Sequence, residues 1–344
     1  MRCGFLFIFF TLIYDFSSSA QLLDTQTLCS LGSFAVETSG IEKADSISYL
    51  THNDSGGRPV LYRFNSSGLL LDTLIISNVK NIDWEDLARD DSGNIYIGDF
   101  GNNFNDRTNL RIIKLNHDSI LYSSGKTSAE IISFKYPDQA ALPPSNSNLN
   151  FDCEAFIHSG DSLYLFTKNI STSKNSGYTK QYRIPDTGGS FTADLVDSFY
   201  LNEPVTSADI LGQDTSLVLL TYFSVFLFHG FRSNDFFSVA PKQFQFRSLT
   251  QKEAVLFKDS SHLLITDEKV FGTGGKLYLI DLTSGVLKSS CRKKFYSISH
   301  SLHKCIYNQL LIFIRRKSLH RHHRQIRNRN NAVKRFDASD KNSK

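Results

Sequence analysis

An acidic residue followed at nearly constant distance by a polar strand end occurs five times between residues 37 and 267. Each acid lies at the start of a short apolar segment, and a second apolar segment follows and ends in polar residues. The pairs are Glu37 with Asp54, Glu85 with Asp99, Glu154 with Lys168, Asp209 with Tyr222, and Glu253 with Asp267. Their separations are 17, 14, 14, 13 and 14 residues. Such a repeat predicts a radial array whose equivalent positions converge on one axis.

The segments around these pairs carry the signals of β-strands rather than helices. Short runs rich in Phe, Tyr, Ile and Leu, such as residues 60–64 and 262–266, alternate with turn sequences that contain Asn, Asp, Ser and Gly. No segment keeps a sustained helical period. The runs fall into groups of four, which predicts one small sheet for each repeat.

The fifth group has only three strand candidates, whereas an unassigned candidate, residues 25–31, precedes the first group. Residues 25–31 occupy the same place before Glu37 that residues 70–76 occupy before Glu85. We therefore predict an all-β fold, a five-bladed β-propeller closed by this N-terminal strand, which removes exposed sheet edges. The alternative is a six-bladed propeller whose last blade is built partly from the C-terminal tail.

The N-terminal end of the chain differs from this repetitive body. Residues 1–20 combine Arg2, an apolar run at 5–13 and small residues at 17–20, which is the pattern of a cleaved secretory signal peptide. The apolar run is too short to span a bilayer, although a short membrane anchor is the alternative. We therefore expect a protein that is secreted or held at the cell surface, with residues 21–285 as one propeller domain.

Residues 286–344 form a basic tail with 16 Lys and Arg against 2 Asp and Glu. The whole chain has 38 basic and 34 acidic residues, so the part before this tail is acidic. Three interpretations stay open: an arm that binds nucleic acid or an anionic surface, a disordered tail, or translation out of frame. Nucleic-acid binding is the least favoured for an exported protein, so we expect no nucleic-acid partner. We also expect a monomer, and no later apolar run is long enough for a transmembrane segment.

Cysteine usage gives no guide to function. Four cysteines follow residue 20, too few in a chain of this length to form a disulfide framework. Cys153 lies between Asp152 and Glu154 in a predicted inner strand, where a buried free thiol is the expected state.

The acids of the repeat are the first candidates for chemistry. The first strand of each blade lines the axis of a propeller, so the acids near its start face the channel. Carboxylates that converge in this way repel one another, which raises their pKa or recruits a cation, and hard oxygen ligands suit Ca²⁺ best. The predicted metal ligands are Glu37, Glu85, Glu154, Asp209 and Glu253. The alternatives are hydrogen bonds from amides of the neighbouring blade, or neutralisation by Lys168 and Arg107.

The ends of the second strands are the second set of candidates, because their loops share one face of the propeller. Unlike the acids, these positions vary from blade to blade, and loop ends commonly carry binding groups. The predicted ligand-binding residues at this rim are Asn53, Asp54, Trp84, Asp99, Asn102, Asn103, Arg107, Lys168, Tyr222 and Asp267. For Trp84, the one tryptophan of the chain, packing between blades is the favoured alternative to stacking on a ligand.

Several reaction classes lack their sequence signals. The serines and histidines show no nucleophile-elbow pattern, and the chain has neither a phosphate-binding glycine loop nor a zinc-spacing motif. Paired carboxylates such as Glu85 and Asp99 remain candidates for a general acid and base in hydrolysis.

Five segments together resemble a group of secreted bacterial β-propeller proteins, over roughly residues 30–285. The segments are residues 37–41, 51–57, 83–88, 97–103 with Arg107, and 152–155. This resemblance implies the fold and no particular reaction. Many such proteins end in a C-terminal sorting domain, from which the basic tail departs. A looser similarity, carried by Trp84, Glu85 and residues 98–101, links the chain to calcium-activated nucleotidases, which implies a central Ca²⁺.

Three functions remain as hypotheses. The first is a secreted propeller that binds Ca²⁺ and a small polar ligand or glycan at the channel mouth. The second is a Ca²⁺-dependent hydrolase of phosphate esters or glycosides, although Arg107 and Lys168 are the only obvious rim cations for a phosphate. The third is a protein-interaction scaffold.

Overall fold

The computed structural model describes residues 21–122, 125–145, 148–168, 177–212 and 215–284. The predicted signal peptide and the basic tail lie outside these residues. Within them, the strands form five separate sheets that follow one another along the chain. The prediction of an all-β, five-bladed β-propeller is confirmed, and five blades rather than six are formed by this part of the chain.

Each blade contains four antiparallel strands, numbered here from the axis outward. Blade 1 comprises Thr38–Lys43, Ser48–Asn53, Val60–Asn65 and Leu70–Ile76. Blade 2 comprises Trp84–Arg89, Ile95–Asp99, Arg111–Leu115 and Glu130–Lys135. Blade 3 comprises Cys153–Ser159, Ser162–Thr167, Tyr178–Pro185 and Asp194–Tyr200. Blade 4 comprises Val205–Leu211, Ser216–Thr221, Ser224–His229 and Lys242–Phe246. Blade 5 comprises Lys252–Phe257, His262–Asp267, Lys276–Asp281 and Thr25–Ser30.

The N-terminal segment contributes to two blades. Thr25–Ser30 pairs antiparallel with Lys276–Asp281 and supplies the outer strand of blade 5. Just before it, Gln21–Leu23 pairs in parallel with Lys242–Phe246 of blade 4. The first residues of the domain are therefore hydrogen-bonded to strands more than 200 residues later in the chain.

Additional short strands extend blades 1 and 2. Lys126–Thr127 pairs in parallel with the outer strand of blade 1, and Gly189–Thr192 pairs in parallel with the outer strand of blade 2. One α-helix, His117–Tyr122, and two 3-10 turns, Ser33–Ala35 and Phe236–Ser238, complete the described elements. No helix in this part of the chain is long and apolar enough to cross a membrane.

The hydrophobic core lies between the blades rather than along the axis. Five clusters of buried side chains each join two neighbouring blades. For example, Phe64 of blade 1 shares a cluster with Leu264 of blade 5, which closes the ring. Burial of apolar area at five such interfaces stabilises the fold as a whole, because each blade covers the face of the next. The axis is left to polar side chains.

A β-bulge occurs near the start of every first strand. The ladder to the second strand gains one extra residue between Thr38 and Ile41, Trp84 and Leu87, Cys153 and Ala155, Val205 and Ser207, and Lys252 and Ala254. A bulge redirects side chains relative to a regular strand. We call the end of the channel at these bulges the upper mouth, and the end where the first strands finish the lower mouth.

Candidate functional site

Three glutamates occupy equivalent positions at the bulges. Glu85, Glu154 and Glu253 each directly follow the first residue of their strand and are buried, with exposed fractions of 5, 3 and 5%. The corresponding residues of blades 1 and 4 are Ser39 and Thr206. The upper mouth therefore has an incomplete ring of carboxylates, from blades 2, 3 and 5.

The expectation of five equivalent acids is wrong for Glu37 and Asp209. Glu37 precedes the first strand of blade 1, and its backbone amide donates to the Asn53 side chain at 3.0 Å. Asp209 lies four residues beyond Val205, near the lower mouth, where it receives a hydrogen bond from the amide of Phe257. A sequence spacing does not reveal which residues the bulge places in register.

Lys168 is buried within this ring and joins blades 3, 4 and 5. Its ammonium group donates a hydrogen bond to Glu154, with which it forms a buried ion pair. It also lies over the Tyr222 ring, 5.4 Å from the centroid, and the Tyr222 hydroxyl donates to Glu253 at 3.2 Å. Burial by itself lowers the pKa of Lys168, but Glu154 and the other nearby acids outweigh it and hold the pKa well above its ordinary value.

A cluster of three carboxylates lies beside this network. Asp54, Asp83 and Glu85 each offer an oxygen, and these atoms all lie within 4.8 Å of one another. Burial raises the pKa of Glu85 well above its ordinary value, and the charges of Glu154, Asp54 and Asp83 raise it further, while Lys168 opposes this. Three close oxygen ligands with an unfavourable concentration of negative charge are the donor set that a hard divalent cation prefers.

Gly101 allows the backbone to approach this carboxylate cluster. A Cβ at this position would lie 2.7 Å from Asp83 Cγ and closer still to Glu85 Oε1. The Gly101 amide donates to the Asp83 carbonyl at 3.2 Å, and its own carbonyl accepts from Arg107 at 2.7 Å. A side chain here would displace the carboxylates, so the glycine is a requirement of the site's geometry.

Several predicted rim residues stabilise the loops instead of pointing to open space. Asp99 is fully buried and accepts hydrogen bonds from Arg107 at 3.0 Å, Arg111 at 2.9 Å and the Asp83 amide at 3.1 Å. Asp267 accepts from the Tyr278 hydroxyl at 2.8 Å. Asn53, as noted above, caps the backbone ahead of blade 1 in the way that Asp99 caps the backbone ahead of blade 2.

The other predicted rim residues have diverse surroundings. Trp84 is fully buried and meets His52 edge to face at 5.5 Å, in agreement with the packing alternative. Asn102 is buried, and its backbone amide donates to the Asp152 carboxylate at 2.8 Å, whereas Asn103 is exposed. Of the ten predicted ligand-binding residues, Asp54, Lys168 and Tyr222 are those that the structure brings together with the glutamates.

Two further acids complete the axis. Asp83 joins the carboxylate cluster, and the signal for it was its position next to Trp84 and Glu85. Asp86 lies in the bulge of blade 2, is fully buried, and accepts hydrogen bonds from the Ser207 hydroxyl at 3.0 Å and the Ala208 amide at 3.1 Å. Burial raises the pKa of Asp86 well above its ordinary value. This side chain ties blade 2 to blade 4 across the middle of the channel.

The expectation for cysteine is confirmed at Cys153, which is a buried free thiol. Burial raises the pKa of its thiol well above the ordinary value, which keeps it protonated and unreactive.

No protein-family model and no curated protein matches the sequence. Among solved structures, the chain is similar to the PQQ-bound aldose sugar dehydrogenase of Streptomyces coelicolor, with 10% identity, a TM-score of 0.43, and coverage of 75% of this chain and 98% of that one. It is also similar to the gluconolactonase XC5397 of Xanthomonas campestris, with 13% identity, a TM-score of 0.39 and coverage of 68% of each chain. Virginiamycin B lyase of Staphylococcus aureus has 13% identity, a TM-score of 0.36, and coverage of 72% and 67%.

These similarities carry no inference about activity, since identities are low and every TM-score given is below 0.5. The five-bladed fold rests on the strand pairing. The narrower resemblances to secreted bacterial propellers and to calcium-activated nucleotidases stay predictions.

Proposed function

We propose that this protein is a secreted β-propeller that binds Ca²⁺ at its upper mouth and presents it to a small polar ligand or glycan. The observation that carries the proposal is the convergence of Asp54, Asp83 and the buried Glu85, each of which has an oxygen within 4.8 Å of the other two. Ca²⁺ binds oxygens at about 2.3–2.6 Å, so three oxygens up to 4.8 Å apart can share one ion.

The surrounding residues hold the glutamates beside the proposed ion. Lys168 pairs with Glu154, and the Tyr222 hydroxyl donates to Glu253 at 3.2 Å. Ca²⁺ in protein sites keeps six to eight ligands, which leaves coordination positions for water or for ligand hydroxyl groups. Export to a calcium-rich compartment, proposed from the pattern of residues 1–20, is compatible with a site of three carboxylates.

A calcium titration of the full chain by calorimetry tests the proposal. Wild-type protein freed of metal by a chelator is expected to bind one Ca²⁺, and Glu85→Gln is expected to weaken binding at least about tenfold because it removes a charged ligand. Glu42→Gln is the matched control, since Glu42 is a similarly buried glutamate at the lower mouth. Absence of calcium binding by the wild-type protein, or equal losses in both variants, would contradict the proposal.

A Ca²⁺-dependent hydrolase of phosphate esters or glycosides is a second candidate function. The observation that favours it is the raised pKa of Glu85, the property of a general acid at neutral pH. Turnover of nucleotide and glycoside panels, measured with calcium and with chelator, distinguishes an enzyme from a binding protein. Activity that requires calcium and is lost in Glu85→Gln supports the hydrolase. A protein that neither binds calcium nor turns over substrate leaves the interaction scaffold.

A further inference from the structure

A cavity of about 360 Å³ opens at the lower mouth, at the opposite end of the channel from the carboxylate cluster. The ends of all five first strands line it, so it lies on the axis of the propeller. The hydrogen bond from Ser207 to Asp86 joins blades 4 and 2 between the two ends. The volume falls within the range of small-molecule pockets. None of the proposed calcium ligands lines this cavity.

Charged groups of both signs line the cavity, in equal number on its innermost strands. Glu42 and Asp209 supply carboxylates, whereas Lys43 and Arg89 supply cations. The wall also includes Asp90, Asp91 and His158 at its rim. The lining thus has four carboxylates against the two cations Lys43 and Arg89. The carboxylates repel a simple anion, and the two cations at the innermost positions repel a simple metal ion.

The inner charged groups retain bonding capacity. Glu42 is 7% exposed, and its Oε2 accepts from the Lys43 amide at 2.9 Å, whereas no donor to Oε1 is found in the described part of the chain. Arg89 likewise makes no side-chain hydrogen bond or ion pair among these residues. A guanidinium group facing a cavity offers a planar pair of donors that matches a carboxylate.

The cluster at the rim is already satisfied internally. His158 Nε2 lies 2.9 Å from Asp186 Oδ2, and Tyr96 donates its hydroxyl to Asp90 at 3.1 Å. Asp90 also receives two hydrogen bonds from Asn94. Although Asp90, His158 and Asp186 are close enough to hold a metal ion, these contacts explain their positions without one. The rim therefore shapes the opening rather than supplying the binding groups.

The remaining lining is apolar. Leu87, Ile210, Leu256 and Phe257 contribute to the wall beside the charged groups. Leu256 and Phe257 are almost fully buried in the clusters between blades, with exposed fractions of 3% and 2%, so polar groups bound most of the cavity. Charged groups of both signs close together suit a small molecule that itself carries two opposite charges.

We propose that the lower mouth binds a small zwitterion of the amino-acid class. Its carboxylate pairs with Arg89, and its ammonium group lies between Glu42 and Asp209. This site is independent of the calcium site at the upper mouth.

A thermal-shift screen of the full chain with the twenty standard amino acids, followed by calorimetry, tests this site. Leucine has two matched probes: 3-methylbutylamine, which lacks the carboxylate, and 4-methylpentanoate, which lacks the ammonium group. Leucine is expected to bind at least about tenfold more tightly than either single-charge probe, because each probe lacks the partner of either Arg89 or Glu42. No shift with any amino acid at about 10 mM, or equal binding of all three probes, would overturn the proposal.

Two variants separate recognition from folding. Arg89→Gln is expected to remove the preference for leucine over the amine, and Glu42→Gln to remove the preference for leucine over the acid. Asp72→Asn, at an exposed position on the outer strand of blade 1, is the control and is expected to leave both preferences unchanged. A general loss of stability would weaken the binding of all three probes equally. If Arg89→Gln and Glu42→Gln left both preferences unchanged, the assignment of these two residues would be wrong.

Discussion

Among single residues, Lys168 is expected to have the largest effect on stability. It is a buried cation whose ammonium group pairs with Glu154 and faces Tyr222. Removal of one partner of a buried ion pair leaves an uncompensated charge, whereas an exposed pair contributes little. The stability of the upper mouth therefore depends on this side chain more than on any surface ion pair.

Replacement of Lys168 by Met is expected to lower the free energy of unfolding by about 3–5 kcal/mol. Chemical denaturation measures this change. Arg183→Met is the control, because the Arg183–Asp194 pair is largely exposed, and its expected cost is about 0–1 kcal/mol. The double variant Lys168→Met with Glu154→Gln is expected to recover much of the loss, and equal destabilisation by single and double variants would contradict the argument.

Gly101→Ala is expected to reduce calcium affinity and stability together. The added methyl group would fall 2.7 Å from Asp83 Cγ and closer to Glu85, so the carboxylates must move apart. A loss of about 1–3 kcal/mol is typical of such overpacking. Gly57→Ala is the matched control, because its Cβ would have its nearest contact at 3.7 Å. Calorimetry measures calcium affinity, and denaturation measures the free energy of unfolding. If both changed equally in the two variants, Gly101 would have no role in the site.

The lower mouth makes stability depend on pH. Burial, and then the charge of Asp209, raises the pKa of Glu42 from 4.5 to about 8, and burial raises that of Asp209 from 3.8 to about 7. A carboxyl whose pKa is raised by folding stabilises the protein below the unfolded pKa, and this contribution is lost as pH rises through the folded pKa. Stability is therefore expected to fall between about pH 4 and pH 8.

Glu42→Gln is expected to reduce this pH dependence. Thermal unfolding in chelator between about pH 5 and pH 8.5 measures it, and the variant should gain most over the wild type at the higher pH. The exposed residue Asp72 provides the control variant Asp72→Asn, which is expected to leave the slope unchanged. A slope in Glu42→Gln identical to that of the wild type would refute the assignment of this effect to the lower mouth.

Sequence spacing located the acids of the upper mouth better than it distinguished their roles. Glu85, Glu154 and Glu253 lie at equivalent strand positions, where Glu154 interacts with both of the others. Glu37 and Asp209 match them in spacing and not in register. The strand ends that vary between blades, such as Asp99 and Asp267, are held by local hydrogen bonds and brace the loops. Variation at a loop end reflects the different partners needed to brace each turn as readily as it reflects binding.

At the scale of the element, many strands are predictable because they are short runs of apolar residues, such as Ser216–Thr221 and His262–Asp267. The bulge is not, because one extra residue in a ladder leaves no mark in composition. The parallel strands Gln21–Leu23, Lys126–Thr127 and Gly189–Thr192 were also missed. Each has two to four residues and is defined by its pairing with a more distant element, so local propensity is a weak guide to it.

At the scale of the whole molecule, the five inter-blade clusters form a closed ring, and the N-terminal strand completes blade 5. A ring with five similar interfaces has no free end from which to unravel, so we expect a single cooperative unfolding transition. Opening the ring at blade 5 should weaken all blades, because each interface is supported by the next. The N-terminal strand, as the outer strand of blade 5, is therefore expected to influence both mouths of the channel.

Removal of residues 21–30 is expected to lower the melting temperature and to broaden or split the transition, because blade 5 loses its outer strand and the ladder from Thr25–Ser30 to Lys276–Asp281. Removal of residues 21–23 alone is the control, since it removes three parallel pairs at the outer edge of blade 4 and leaves blade 5 complete. Calorimetric scans of both shortened chains, with and without calcium, measure the difference. If both deletions lowered the melting temperature equally, closure would be a local detail rather than the source of cooperativity. A loss of calcium binding in the longer deletion alone would connect the closure of the ring to the geometry of the upper mouth.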